Sequence, residues 1–283
     1  MASLEVISFA ATIAGVGLSV ILGITTLAAR RLRPASAMST TPSTIFISER
    51  WDYAGWGLTA LSLLLLTVSI VSRALSTGHG PFSNMYEFSL AFAWGILAMS
   101  LLFRWRYRLQ ILITSGAAIA LALLLFASIL PSKPVPLVPA LQQSFLLSAH
   151  VAAAIVAYGA FTMGFCASAL YLIKDRWQTS AIPGLEVLDD MGYLSVKIGF
   201  PFMTLLIILG ALWADIAWGT YWSWDPKETA SLVTWLLFAS YLHARLLGGW
   251  HGRRAAWILI AGFAAVLFTF FGNYIFSGLH SYR

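Results

Sequence analysis

Residues 111–130 read ILITSGAAIALALLLFASIL, twenty positions without one charged side chain. An α-helix rises about 1.5 Å per residue, so this run is long enough to cross the roughly 30 Å hydrocarbon core of a bilayer. Arg104, Arg106 and Arg108 stand just before it, and Pro131 and Lys133 just after. Lipid offers no partner to a free backbone N–H or C=O, so an apolar run of this length reads as a spanning helix.

Outward from it, the same pattern recurs. Apolar segments lie near 4–28, 54–71, 85–103, 145–173, 198–216, 229–247 and 255–277. Hydrophobic residues make up 59% of the 283-residue chain and charged ones 10%, against about a quarter charged in soluble domains. The expectation is an all-α, polytopic transmembrane bundle of about eight spanning helices, forming one domain over 1–283. Little chain is left for a soluble domain. The N-terminal run lacks a basic leader and a small-residue cleavage site, so it reads as a retained helix.

The net charge of +6 is first a topology signal rather than a sign of nucleic-acid binding. One set of connections holds Arg30, Arg31, Arg33, Arg50, Arg104, Arg106, Arg108, Lys174, Arg176, Lys197, Arg245, Arg253 and Arg254. The other holds only Arg73, Lys133, Lys227 and Arg283. Thirteen basic residues against four place the first set in the cytoplasm. Eight crossings then leave both termini on the outer, periplasmic or lumenal, face. Residues 30–53 read as a cytoplasmic linker, 131–140 as a proline-rich outer loop, and 175–196 as a cytoplasmic connector. The single cysteine, Cys166, excludes an intrachain disulfide, and the absence of CxxCH excludes a c-type cytochrome.

The unusual residues gather on the outer face. Trp218-Gly219-Thr220-Tyr221-Trp222-Ser223-Trp224-Asp225-Pro226-Lys227-Glu228 joins the sixth and seventh segments. Trp and Tyr favour the headgroup region, so a belt is one reading. Four aromatics in a single loop also make a stacking platform for a flat amphipathic ligand. Asp225 reads as the N-cap of the seventh helix, with Pro226 at its first position and Glu228 at its third.

Histidines supply a second signal. His150 opens the fifth segment and His280 follows the eighth, both on the outer face. Each alone suits an interfacial residue, but two opposed imidazoles also suit axial ligation of haem iron. His243 lies within the seventh segment, fifteen residues after Glu228 and so about 22 Å further along the helix. An ionisable group at such depth is a functional candidate, with a bundle-facing hydrogen-bonded histidine as the alternative. His79 and His251 read as ordinary loop residues.

WGTYWSWDPKE closely resembles the WWD signature of the haem-handling proteins of cytochrome c biogenesis. TASLVTWLLFASYLHARL, the ending FGNYIFSGLHSYR and Pro81-Phe82-Ser83-Asn84-Met85-Tyr86-Glu87 are similar to its CcsA (ResC-type) branch, the membrane component of System II. The likeness is specific over about 145–283 and looser over the first two segments. Asn273-Tyr274 stands where many relatives read Val-Asn, and His79 has no counterpart in the pattern.

The resemblance implies that His150 and His280 ligate haem iron on the outer face, and that His243 belongs to a second haem site. It implies haem contacts by Trp218, Tyr221, Trp222, Trp224, Asp225 and Glu228. The cofactor would be haem b, a substrate in transit, and the partners a CcsB (ResB-like) membrane protein and the CxxCH segment of apocytochrome c. The implied function is delivery and presentation of haem for covalent attachment, as a subunit of a cytochrome c haem lyase or synthetase. The membrane would be a bacterial plasma membrane, or a thylakoid in a cyanobacterium or plastid. Two alternatives remain: a haem exporter without attachment activity, resembling the six-helix CcmC relatives, and a b-type electron-transfer protein.

Overall fold

A computed structural model describes residues 2–31, 42–80, 82–133 and 144–275. Its elements are all helical: α1 Ala2–Arg31, α2 Pro42–Thr77, α3 Met85–Tyr107, α4 Gln110–Ser128, α5 Ser144–Trp177, α6 Leu185–Trp218, α7 Pro226–Leu246 and α8 Arg253–Ile275. Chain neighbours pack as pairs, α1 on α2, α3 on α4, α5 on α6 and α7 on α8. The α3–α5 contact then joins the first half to the second.

Helix association without a hydrophobic force between lipid and protein depends on close packing and buried polar contacts. Ser19 Oγ lies 2.7 Å from Thr59 Oγ1 and donates to the Gly55 carbonyl at 3.0 Å, fastening α1 to α2. Gly95 and Gly159 let α3 and α5 touch through their backbones. A Cβ on Gly159 would sit 2.8 Å from the Gly95 carbonyl oxygen. In the second half, Phe161 of α5 stacks on Phe238 of α7 with ring centroids 3.5 Å apart. That stack lies in a core shared by α3, α5, α6, α7 and α8.

Ion pairs fasten helix termini at both ends of the bundle. At one end Arg73 of α2 meets Glu5 of α1 at 3.2 Å and Glu87 of α3 at 2.9 Å. At the other, Arg245 of α7 meets Asp189 of α6 at 2.7 Å. The start of α6 therefore lies beside the end of α7, and the two run antiparallel.

Three expectations change. Helix α2 starts at Pro42 rather than at 54, so part of the expected 30–53 linker is helical. Proline suits the first position of a helix, whose N–H needs no partner within it. Helix α6 starts at Leu185 rather than 198, and within the expected 175–196 connector Asp189 finds partners in Arg245 and the Gly252 N–H. Among the described residues, seven helices are long and apolar enough to cross a membrane, and α7 is not among them. Its polar residues face protein: Thr234 reaches Thr269 of α8 at 3.1 Å, and the Trp235 indole donates to Thr204 of α6 at 2.9 Å. No strand occurs among the described residues. The cytoplasmic or outer placement of the termini was read from the basic residues alone.

Candidate functional site

A cavity of about 480 Å³ opens at the Arg73 end of the bundle, where α3, α5, α6, α7 and α8 meet. Its walls are largely apolar and aromatic, among them Phe88, Phe92, Tyr158 and Trp213. Its volume falls in the range of about 300–1,000 Å³ typical of small-molecule sites.

His150 enters the cavity from the second turn of α5. Its Nδ1 lies 2.9 Å from the Leu206 carbonyl oxygen on α6. A carbonyl only accepts, so the contact places the ring proton on Nδ1 and leaves the lone pair on Nε2. The ring lies close against α6 because position 210 is glycine. A Cβ there would come within 2.9 Å of His150 Cε1 and 3.1 Å of Nδ1.

The tryptophan loop is built by the ends of two helices. Gly219 closes α6 at φ +74°, its N–H donating to the Asp215 carbonyl at 2.8 Å. Asp225 caps α7, accepting from the Lys227 N–H at 2.9 Å, and Pro226 takes the first helical position. Glu228 turns back over the loop. Its Oε2 accepts from Ser223 N at 2.8 Å, Ser223 Oγ at 3.1 Å and Asp225 N at 3.2 Å. One carboxylate thus ties the loop to the helix that follows. Trp224 takes a left-handed backbone, φ +58°, a conformation costing about 1–2 kcal/mol in a non-glycine residue.

The cavity brings together His150, Tyr221, Trp222 and Glu228. Trp218 stands behind this wall, packed edge-on against cavity-lining Trp213 at 4.8 Å between centroids. Trp224 meets Trp222 edge-on at 5.8 Å and is itself 69% exposed. Asp225 is buried as the cap, outside the lining. His280 lies outside the described residues, while Thr269 and Phe270 of α8 line the cavity. His243 occupies the last turn of α7, at the opposite end, with its side chain exposed on the bundle surface. His251 is an exposed loop residue whose Nδ1 lies 2.8 Å from the Gly249 carbonyl oxygen.

Sequence reading missed three features. Lys227 was counted only as a topology charge, yet it lines the cavity. Gly210 carries no sequence signal, since its role depends on what α5 presents to it. The third is the buried cluster around Arg73, 3% exposed, and Glu87, 1% exposed. Arg73 also donates to the Ser132 carbonyl at 2.6 Å, and Glu87 Oε2 accepts from Ser83 N and Oγ at 2.9 and 2.6 Å. This holds the 83–86 stretch that forms one lip of the cavity. The available clue was an arginine at the end of an apolar segment on the face poor in basic residues.

Comparison with known proteins agrees with this architecture. The family described as cytochrome C assembly protein matches residues 82–280. The cytochrome c biogenesis protein CcsA of Guillardia theta is 35% identical over 258 residues, 81% of this chain and 85% of that one. That of Synechococcus sp. (strain CC9902) is 36% identical over 259 residues, covering 80% and 85%. That of Chlamydomonas reinhardtii is 41% identical over 234 residues, covering 78% and 66%. Among solved structures, the cytochrome c heme lyase CcmF shares the fold with a TM-score of 0.67 at 17% identity. The match takes in 95% of this chain and spans 46% of that longer one. The chain is thus an integral membrane protein of the cytochrome c assembly family, in its CcsA branch, with a role in cytochrome c biogenesis.

Proposed function

We propose that the cavity receives haem b and presents it on the outer face for covalent attachment to apocytochrome c. The observation that carries this is the orientation of His150: Nδ1 is held by the Leu206 carbonyl at 2.9 Å in an aromatic-walled cavity. An N–H donated to a carbonyl fixes the imidazole and raises the basicity of the other nitrogen, as in metal-ligating histidines generally. Among the described residues, no group of three or more His, Cys, Asp or Glu is placed to hold a bare metal ion. A porphyrin brings four of the iron's donors with it, so a protein need supply only the axial positions, here His150 and His280.

Haem is the substrate in this reading, and the chain supplies position and exclusion of water. The aromatic loop covers the macrocycle while its edge remains within reach of the incoming CxxCH segment. Each thiol adds across a vinyl group: a sulfur–carbon bond forms, the thiol hydrogen passes to the other vinyl carbon, and no oxidant is consumed. The histidine of CxxCH then displaces one axial ligand as product leaves. His243, exposed at the far end of α7, suits a separate station completed by a CcsB-like membrane partner.

The test is haem retention and cytochrome c maturation in His150→Gly and His280→Gly variants co-expressed with that partner. Both should lose haem and product, and added imidazole should restore both, because the iron needs only a correctly placed sp² nitrogen. His251→Gly serves as the control. Full maturation by His150→Gly without imidazole would remove the ligand assignment and with it the reading of the cavity.

A further inference from the structure

Among the described residues that line the cavity, Lys227 alone is a lysine or arginine. It occupies the second position of α7, half-buried, with Nζ 5.6 Å from the centroid of Phe88, another lining residue. Among the described residues no carboxylate lies within ion-pair distance of that ammonium. The two nearest in sequence are committed elsewhere. Asp225 accepts from the Lys227 backbone N–H, and Glu228 Oε2 takes three hydrogen bonds from the tryptophan loop. A cation held over an apolar cavity, with no ion-pair partner among the described residues, carries a desolvation cost that an anionic ligand would relieve.

A haem is apolar over most of its area but carries two propionate carboxylates on one edge. Placing those in an aromatic cavity without a cation is costly for the same reason. The cost on the ligand and the cost on the protein cancel if the two groups meet.

We infer that Lys227 is the anion-recognition residue of the cavity, pairing with a haem propionate and setting which edge of the macrocycle lies against α7. The inference rests on the haem reading of the cavity. It adds an orientation: the propionate edge lies at the Lys227–Phe88 side, leaving the vinyl edge for the thiols. Glu228 lines the same cavity, and its buried Oε1 has no hydrogen-bond partner among the described residues.

The experiment uses the full-length protein in detergent, titrated with iron protoporphyrin IX and separately with its dimethyl ester, whose propionates are uncharged. The Soret band reports binding and ligation for wild type, Lys227→Met, Lys227→Gln and Lys227→Arg. Loss of a charged hydrogen bond should weaken binding of the free acid by about tenfold or more in Lys227→Met and Lys227→Gln. The ester should bind all variants alike, Lys227→Arg should keep most of the affinity, and the Soret position should not move. The Gln variant carries the test should the Met variant fail to fold. Equal losses for acid and ester would show that Lys227 only shapes the cavity, and no loss for either would show that it takes no part. Both results overturn the inference while leaving the haem reading standing. Absence of saturable binding by wild type to either compound would instead remove the haem reading itself.

Discussion

The imidazole Nδ1 of His150 lies 2.9 Å from the carbonyl oxygen of Leu206, so a residue at the start of α5 is aimed by the backbone of α6. The approach depends on Gly210, one turn further along α6, where any Cβ would press on the ring at 2.9 Å. Replacing it is therefore a way to displace His150 without touching it.

Gly210→Ala should push the imidazole off the Leu206 carbonyl and lower haem affinity by about tenfold, the scale reported when an outer hydrogen-bond partner of a metal ligand is lost. Soret titration measures it. Gly57→Ala, with nothing within 4 Å of the added carbon, is the matched control and should bind as wild type. Equal affinities in the two variants would show that the ring has room to move.

The Arg73 cluster supports one lip of the cavity. Arg73→Met leaves Glu5 and Glu87 as buried carboxylates without their cation, which should destabilise the fold by about 3–5 kcal/mol. Adding Glu5→Gln and Glu87→Gln should recover part of that. Thermal unfolding in detergent measures both. A single variant as stable as wild type would mean that water already reaches these carboxylates.

Lys227 also predicts a pH dependence. Burial pushes its ammonium down to about 8, partly offset by the nearby Asp225 carboxylate. Below that value the side chain is charged and attracts a propionate; above it the free protein carries a neutral amine. Affinity for iron protoporphyrin IX should therefore hold steady at lower pH and fall as pH rises through about 8. Lys227→Arg should abolish the fall, because guanidinium stays charged throughout. A fall that persists in the Arg variant would assign it to another group.

The tryptophan loop is expected on the outer face, from thirteen basic residues against four. Ser223 is exposed in that loop. Ser223→Cys in a Cys166→Ala background should react with an impermeant maleimide in spheroplasts. Reaction only after lysis would invert the topology.

His243 and His150 belong to opposite ends of the bundle. The fifteen residues from Glu228 to His243 correspond to about 22 Å of helix, too far for one haem to use both histidines. His243→Ala should leave haem affinity and the Soret position at the cavity unchanged in the purified chain, whereas His150→Ala should alter both. A shifted cavity spectrum in His243→Ala would merge the two sites.

The sequence by itself determined the architecture, because the bilayer imposes a one-dimensional rule: about 20 apolar residues per crossing, legible in residues such as 111–130. It also located the aromatic loop and the Asp225–Glu228 cap, which are local in the chain. Where local charge met distant partners the reading failed. Residues 185–196 looked like a connector until Arg245 and Gly252 supplied Asp189 with contacts. Residues 229–247 read as one more apolar segment, whereas α7 falls short of the apolarity of a span and places Thr234 and Trp235 against partners on α8 and α6. Tertiary structure alone decided that Trp218 and Trp224 stand outside the cavity while Tyr221 and Trp222 line it. It alone joined His150 to Leu206 and Gly210, and turned Lys227 from a topology charge into a cavity wall. Those relationships run between helices far apart in sequence. They depend on which side chain each helix presents at the place where its neighbour leaves room, and spacing along one chain does not encode that.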